Sequence, residues 1–233
     1  MAGGLNRRHL VAGLALTTAP VAAAAAAQPN YGYAFLDLKL IPGESATAAL
    51  RAHLAGQPLA AAGGKVVAAF VPQLGWKSSE VALLIDQGQA GPLRTQDLIA
   101  SGPKIATCDY HRLTPTARPS DDSPPRPGGI YVHRWFVVQT SDVPEVVELS
   151  ALGWRDFERR FDTQIYGLFA AEPTLDDRGR GQTRLLLMTR YRDHGVWEVS
   201  RDPSTEAMAA FARRARLTRS SWAASTLMIS TTP

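Results

Sequence analysis

Cys108 is the only cysteine of this chain. A lone cysteine excludes an intramolecular disulfide and any cysteine-based metal cluster. An excess of one charge is missing too: 25 Lys and Arg face 21 Asp and Glu over 233 residues. Setting aside Arg7 and Arg8 of the leader leaves 23 basic residues against 21 acidic ones. That near balance provides no electrostatic footprint for nucleic acid or an anionic membrane, and neither is expected as a partner. After the opening segment no apolar run approaches the roughly 20 residues of a membrane-spanning helix, so no stable membrane insertion is expected after cleavage. Motifs that name a reaction are also missing. Arg178-Gly179-Arg180-Gly181 lacks the preceding strand and following helix of a phosphate loop and reads as part of a hairpin turn.

What is present begins with a leader. Arg7 and Arg8 precede a short apolar run, Leu10–Val21, and the small residues Ala22–Ala27 follow. Basic, then apolar, then small is the order of a secretory signal, and the paired arginines before Leu10 resemble a twin-arginine signal. Residues 1–27 are read as a cleaved signal peptide, and the mature product as periplasmic or secreted in a bacterium.

Beyond the leader, one pattern is read twice. Tyr31–Ile41 is strand-like and stops at Pro42-Gly43. Glu44–Ala62 carries Leu50, Leu54 and Leu59 near helical spacing, with Pro58 as a break. Lys65–Val71 and Glu80–Ile85 form a hairpin around Leu74–Ser79, Leu93–Ala100 a short helix, and Ile105–Leu113 an alternating strand. Thr114–Pro127 holds Pro115, Pro119, Pro124, Pro125 and Pro127 and is read as a linker. The order then repeats. Ile130–Val138 is a strand, and Asp142 is the expected cap of a helix whose stripe is Val146, Leu149, Leu152, Trp154, Phe157 and Phe161. Gln164–Ala171 and Arg184–Tyr191 are strands joined by the turn Asp176–Gly181. Asp202-Pro203 opens a last helix with Ala207, Phe211 and Ala215 on one face, and Trp222–Ser230 is the last strand.

Two copies of strand, helix, hairpin, helix, strand predict an α+β fold: tandem ferredoxin-like βαββαβ units of the dimeric α/β-barrel type. The domains are 28–113 and 128–233, joined by 114–127. Each antiparallel sheet has helices on one face, so the other face needs a cover. The two sheets are expected to cover each other, within the chain or across a homodimer, and to enclose a barrel interior able to hold a small apolar ligand.

Gly129-Ile130-Tyr131-Val132-His133-Arg134-Trp135-Phe136, then Leu187-Met188-Thr189-Arg190-Tyr191 with Trp197, then Phe211–Thr218, resemble the NIPSNAP family within the dimeric α/β-barrel group. Coverage is good over about 128–228 and thin over 31–113, where Leu36 stands in place of an Arg of the family's opening strand; Val132 likewise replaces its Glu. The resemblance implies a fold more than an activity, because the family has no agreed catalytic residue. Related barrels include haem-dependent and cofactor-free oxygenases.

Strand alternation puts Tyr131, His133 and Trp135 on one face and Val132, Arg134 and Phe136 on the other. A neutral imidazole among aromatics suits a general base, a metal ligand or a haem contact, which makes His133 the best catalytic candidate; as a core residue it needs only one hydrogen-bond partner. No second histidine stands nearby at ligand spacing, so no metal is expected, and the cofactor is left unknown. Arg134 suits a carboxylate clamp, or an ion pair with an acid such as Glu198. Tyr131, His133, Arg134 and Trp135 are therefore the ligand-binding candidates. Tyr166, Tyr191, Trp154 and Trp197 read as cavity lining or core. His53 and His194 read as surface, His111 as a weaker counterpart of His133, and Cys108 as a small buried residue. Arg213, Arg214, Arg216 and Arg219 read as solvated helix positions. The expected function is small-ligand binding in the barrel; the alternatives are an oxygenase or isomerase, and a dimeric interaction protein without ligand.

Overall fold

The structure, a computed structural model, describes residues 30–56, 59, 63–87, 93–100, 102, 104–121 and 123–231. The expected signal peptide with Arg7 and Arg8, and the break expected at Pro58, lie outside the described residues.

The first half runs β1 (Tyr31–Leu38), α1 (Ala46–Ala55), β2 (Lys65–Leu74), β3 (Glu80–Asp86), α2 (Thr95–Ala100) and β4 (Ile105–Arg118). The second runs β5 (Ile130–Gln139), α3 (Val143–Arg160), β6 (Thr163–Ala171), α4 (Leu175–Arg180), β7 (Gln182–Tyr191), α5 (His194–Val199), α6 (Glu206–Leu217) and β8 (Thr218–Ile229). Strand order around the closed barrel is β1-β3-β2-β8-β5-β7-β6-β4. Each half contributes one ferredoxin-like sheet, β4-β1-β3-β2 and β8-β5-β7-β6, and all neighbours are antiparallel. Two seams join the sheets: β2 with β8, where Phe70 faces Met228, and β4 with β6, where Leu113 faces Ala171. The halves therefore close on each other within one chain, leaving neither sheet an open edge for a partner.

Three apolar clusters follow from period-two alternation. Tyr31, Tyr33, Phe70, Tyr131, Trp135, Tyr166 and Phe169 fill the barrel. Their alternates pack outward against helices: Leu36, Leu83 and Ile85 with Leu50 and Leu54 of α1, and Val132, Phe136 and Leu185 with Trp154 and Phe157 of α3. The interior expected to be open is thus occupied by side chains, as an eight-stranded barrel allows.

Local departures from the sequence reading have physical causes. The expected linker begins late, because β4 continues to Arg118. Pro115 lacks a ladder N–H and sits at a register shift against β6, where Thr116 Oγ1 donates to Leu168 O at 2.7 Å. Asp142 makes no side-chain cap bond; a 3₁₀ turn, Thr140–Asp142, leads into α3, and Pro144 occupies its first turn. The expected turn Asp176–Gly181 is α4, closed by a reciprocal Thr174–Asp177 capping box and ended by Gly181 at φ 63°. α6 starts at the cap Thr205 and not at Asp202-Pro203. Leu152 of the expected apolar stripe is 52% exposed. Gly129 enters β5 at φ 72°, and a Cβ there would run into the carbonyl oxygen of Tyr191. Glycine is required at that position.

Candidate functional site

β5 divides the candidate residues between two places. Tyr131, His133 and Trp135 point into the barrel, whereas Arg134 faces the helices with Val132 and Phe136. The four expected ligand contacts therefore do not share one site.

His133 is 1% exposed. Its ring lies 4.6 Å from that of Phe70, 5.2 Å from Trp76 and 5.7 Å from Tyr33. Nδ1 meets Tyr33 Oη at 2.9 Å, and Nε2 meets Thr226 Oγ1 at 3.1 Å. Thr226 Oγ1 also lies 3.2 Å from Tyr131 O, to which only its proton can bond. The hydroxyl then accepts from His133 Nε2–H, leaving Nδ1 to accept the Tyr33 proton. Burial pushes the imidazole down to about 3, so it is neutral at ordinary pH. Burial likewise raises Tyr33 well above the usual phenol range, with Asp109 adding to it. Both ring nitrogens are engaged, and no lone pair is left for a metal or haem iron. The haem-contact reading of His133 fails on that geometry, and a polar strut between β1, β5 and β8 replaces it.

His53 and His194 are less exposed than expected. His194 is not solvent-facing at its tip: Nε2 lies 3.0 Å from Ser225 Oγ. His53 is partly buried, which lowers its pKa. His111 Nε2 sits 3.1 Å from Asp109 Oδ2, with its ring 5.0 Å from Trp135. Cys108 is half-buried, and desolvation pushes its thiol up to about 12, which removes it as a nucleophile.

An open volume lies on the opposite side of β5. α6 crosses the outer face of the second sheet beside α3, and two devices hold it there. Asp156 of α3 accepts Ala207 N–H at 3.2 Å and the guanidinium groups of Arg159 and Arg160. Gly153 leaves room for the Phe211 ring. Between these helices, α5 and the sheet is a cavity of about 510 Å³, within the usual range for small-molecule sites. Phe136, Trp154, Phe157, Tyr191, Trp197 and Phe211 supply aromatic wall, and Arg134, Arg201, Arg214 and Arg219 are the charged groups lining it among the described residues.

Arg214 is 8% exposed, which corrects its reading as a solvated helix position. Its guanidinium stacks 4.7 Å from the rings of both Phe136 and Phe211 and donates to Ser150 Oγ at 3.0 Å. Burial first, and the Arg134 cation second, push it down to about 10. Arg134 is partly buried; desolvation lowers it, and Arg201 adds to that. The expected ion pair with Glu198 does not form, and among the described residues neither arginine has an acidic partner. Trp154 Nε1 is buried without an acceptor among the described residues. Sequence reasoning missed Arg214, although a signal existed: Ala207, Phe211, Arg214 and Thr218 follow a 4-3-4 spacing on one helical face.

No protein-family model matches the chain, and no curated protein matches it. Solved structures do. A protein of Lactobacillus acidophilus proposed to be a monooxygenase aligns over 86% of this chain and 94% of its own, at 8% identity and TM-score 0.53. One of Fusobacterium nucleatum with the same proposed activity aligns over 88% and 94%, at 10% identity and TM-score 0.55. An anthrone oxidase-like protein aligns over 87% and 92%, at 10% identity and TM-score 0.57. The fold is that of the dimeric α/β-barrel proteins. At these identities the likeness is one of architecture. Among the described residues no group of three His, Cys, Asp or Glu is placed to hold a metal, and no helix is long and apolar enough to cross a membrane.

Proposed function

We propose that this protein binds a small, mostly apolar organic molecule between the helices and the sheet of its second half. One observation carries the reading: a cavity of about 510 Å³ with aromatic walls, while the barrel interior is filled by its own side chains. Aromatic walls supply hydrophobic and edge-to-face contact, and a few polar groups set orientation. Native mass spectrometry of protein purified gently from the periplasm should show a co-purified adduct that is lost in Phe211→Ala. Adduct-free protein that also shows no thermal shift with any small aromatic compound would remove the reading.

A second reading is favoured by the three whole-length neighbours, two of them proposed monooxygenases and one anthrone oxidase-like. In it the bound molecule is a substrate oxidised by O₂. Such a reaction needs an electron-rich ring held in place, and the aromatic walls Phe157, Phe211 and Trp197 support that reading. An oxygen electrode with an anthrone as substrate tests it. Uptake of oxygen above the buffer rate and sensitive to Phe211→Ala supports oxidation, and uptake equal to buffer removes it.

The NIPSNAP resemblance of Gly129–Phe136 and Leu187–Tyr191, and export through a twin-arginine leader, complete the proposal. Fusion of residues 1–27 to a reporter in strains with and without that pathway tests the export. A homodimer, if formed, uses the outer helical faces, since both sheets are already covered; size-exclusion chromatography with light scattering measures it.

A further inference from the structure

We infer that the molecule held in the helix–sheet cavity is an organic acid, an apolar monocarboxylate whose carboxylate meets Arg134 and Arg214. The inference rests on the cavity being the binding site and adds the chemical class of what it binds.

Among the described residues every charged group lining the cavity is a donor, while Ser200, its proton given to Trp197 O, is an acceptor among the hydroxyls beside them. Arg214 is 8% exposed, and among the described residues one of its five N–H groups has an acceptor, Ser150 Oγ. Ser150 has already given its own proton to Val146 O at 2.7 Å, so it acts toward Arg214 as an acceptor only. Arg134 reaches the same space from β5, with the Arg201 cation and the Tyr191 phenol as its electrostatic neighbours. Trp154 is 1% exposed, and its Nε1–H has no acceptor among the described residues. Among the described residues no carboxylate lines the cavity.

Structure alone does not call for such a set. Two cations of like sign, close enough for Arg134 to depress Arg214, destabilise the empty protein, and apolar side chains of similar size would pack the space at lower cost. A buried group without its partner calls for an explanation, and a ligand that completes it is one. An anion completes this one. Two guanidinium forks among aromatic walls match a planar carboxylate on a flat or ring-shaped body, through paired charge-assisted hydrogen bonds. A larger polyanion would have to bury charge against Phe157 and Trp197.

The test uses 2-naphthoate and its neutral isostere 2-naphthamide, titrated calorimetrically into the full-length purified protein, Arg134→Gln and Arg214→Lys. Wild type should prefer the acid by about tenfold or more, the scale of a charge-assisted contact inside a protein. Arg134→Gln should lower acid affinity by about that factor while leaving the amide within about twofold, and Arg214→Lys, with its charge but not its fork, should fall between. Arg134→Met should also melt higher than wild type without ligand, a readout that a merely structural arginine would move the other way. Equal binding of acid and amide to wild type, unchanged by Arg134→Gln, overturns the acid assignment and leaves the cavity reading standing. Failure of both compounds to bind wild type overturns the cavity reading and the acid assignment with it.

Discussion

Replacing His133 by Gln should flatten the acid limb of the protein's stability curve. The imidazole ionises at about 3 when folded against 6.5 when free, because burial disfavours its cation. The unfolded chain therefore takes up this proton more readily than the folded one as pH falls. The associated stability is fully present above about pH 6.5 and is lost progressively as pH falls toward about 3. At about pH 5 the free histidine is some 1.5 units below its midpoint while the folded one is still neutral, a loss of about 2 kcal/mol at about 1.4 kcal/mol per unit. Glutamine removes the titration and keeps one donor and one acceptor for Thr226 and Tyr33. His53 also resists protonation, but it is common to both proteins and cancels in the comparison. Urea unfolding at about pH 7.5 and about pH 5 measures the difference, and wild type should lose about 2 kcal/mol more than His133→Gln between them. Parallel losses in the two proteins would refute a neutral, fully desolvated His133.

Three further outcomes follow from local geometry. Gly129→Ala places a Cβ against the Tyr191 carbonyl at a positive φ, and should cost about 2–4 kcal/mol in chemical denaturation. Thr205→Ala removes the hydroxyl that accepts Met208 N–H at the start of α6, and should lower stability by about 1 kcal/mol, read from the denaturation midpoint. Cys108, its thiol pushed to about 12, should react with a disulfide reagent at pH 8 many times more slowly in folded protein than in urea; equal rates would contradict its burial.

Element order was legible because its signals are local. Period-two alternation along Ile130–Val138 separates barrel-facing from helix-facing residues, and the structure keeps that division. Closure within one chain was not legible, since the pairings Phe70–Met228 and Leu113–Ala171 join segments far apart in sequence. The end of β4 was hidden because Pro115 reads as a break, whereas a register shift and the Thr116 hydroxyl accommodate it. The candidate site was half visible. Arg134 carried the signal of a basic residue on the helix-facing side of a strand. Arg214 was masked by Arg213 and Arg216, which are exposed, so composition described the run while helical phase decided its one buried member. His133 attracted attention by type and alternation. Its two partners, Tyr33 and Thr226, come from the other half and the last strand, and only the closed barrel brings them to it.

The central claim places ligand binding between the second sheet and its helices. A crystal structure of the protein grown with 2-naphthoate tests it most directly. The account predicts the ring among Phe136, Phe157 and Trp197 with its carboxylate hydrogen-bonded to Arg134 and Arg214. Naphthoate bound instead inside the barrel beside His133, with the helix–sheet cavity empty, would contradict it.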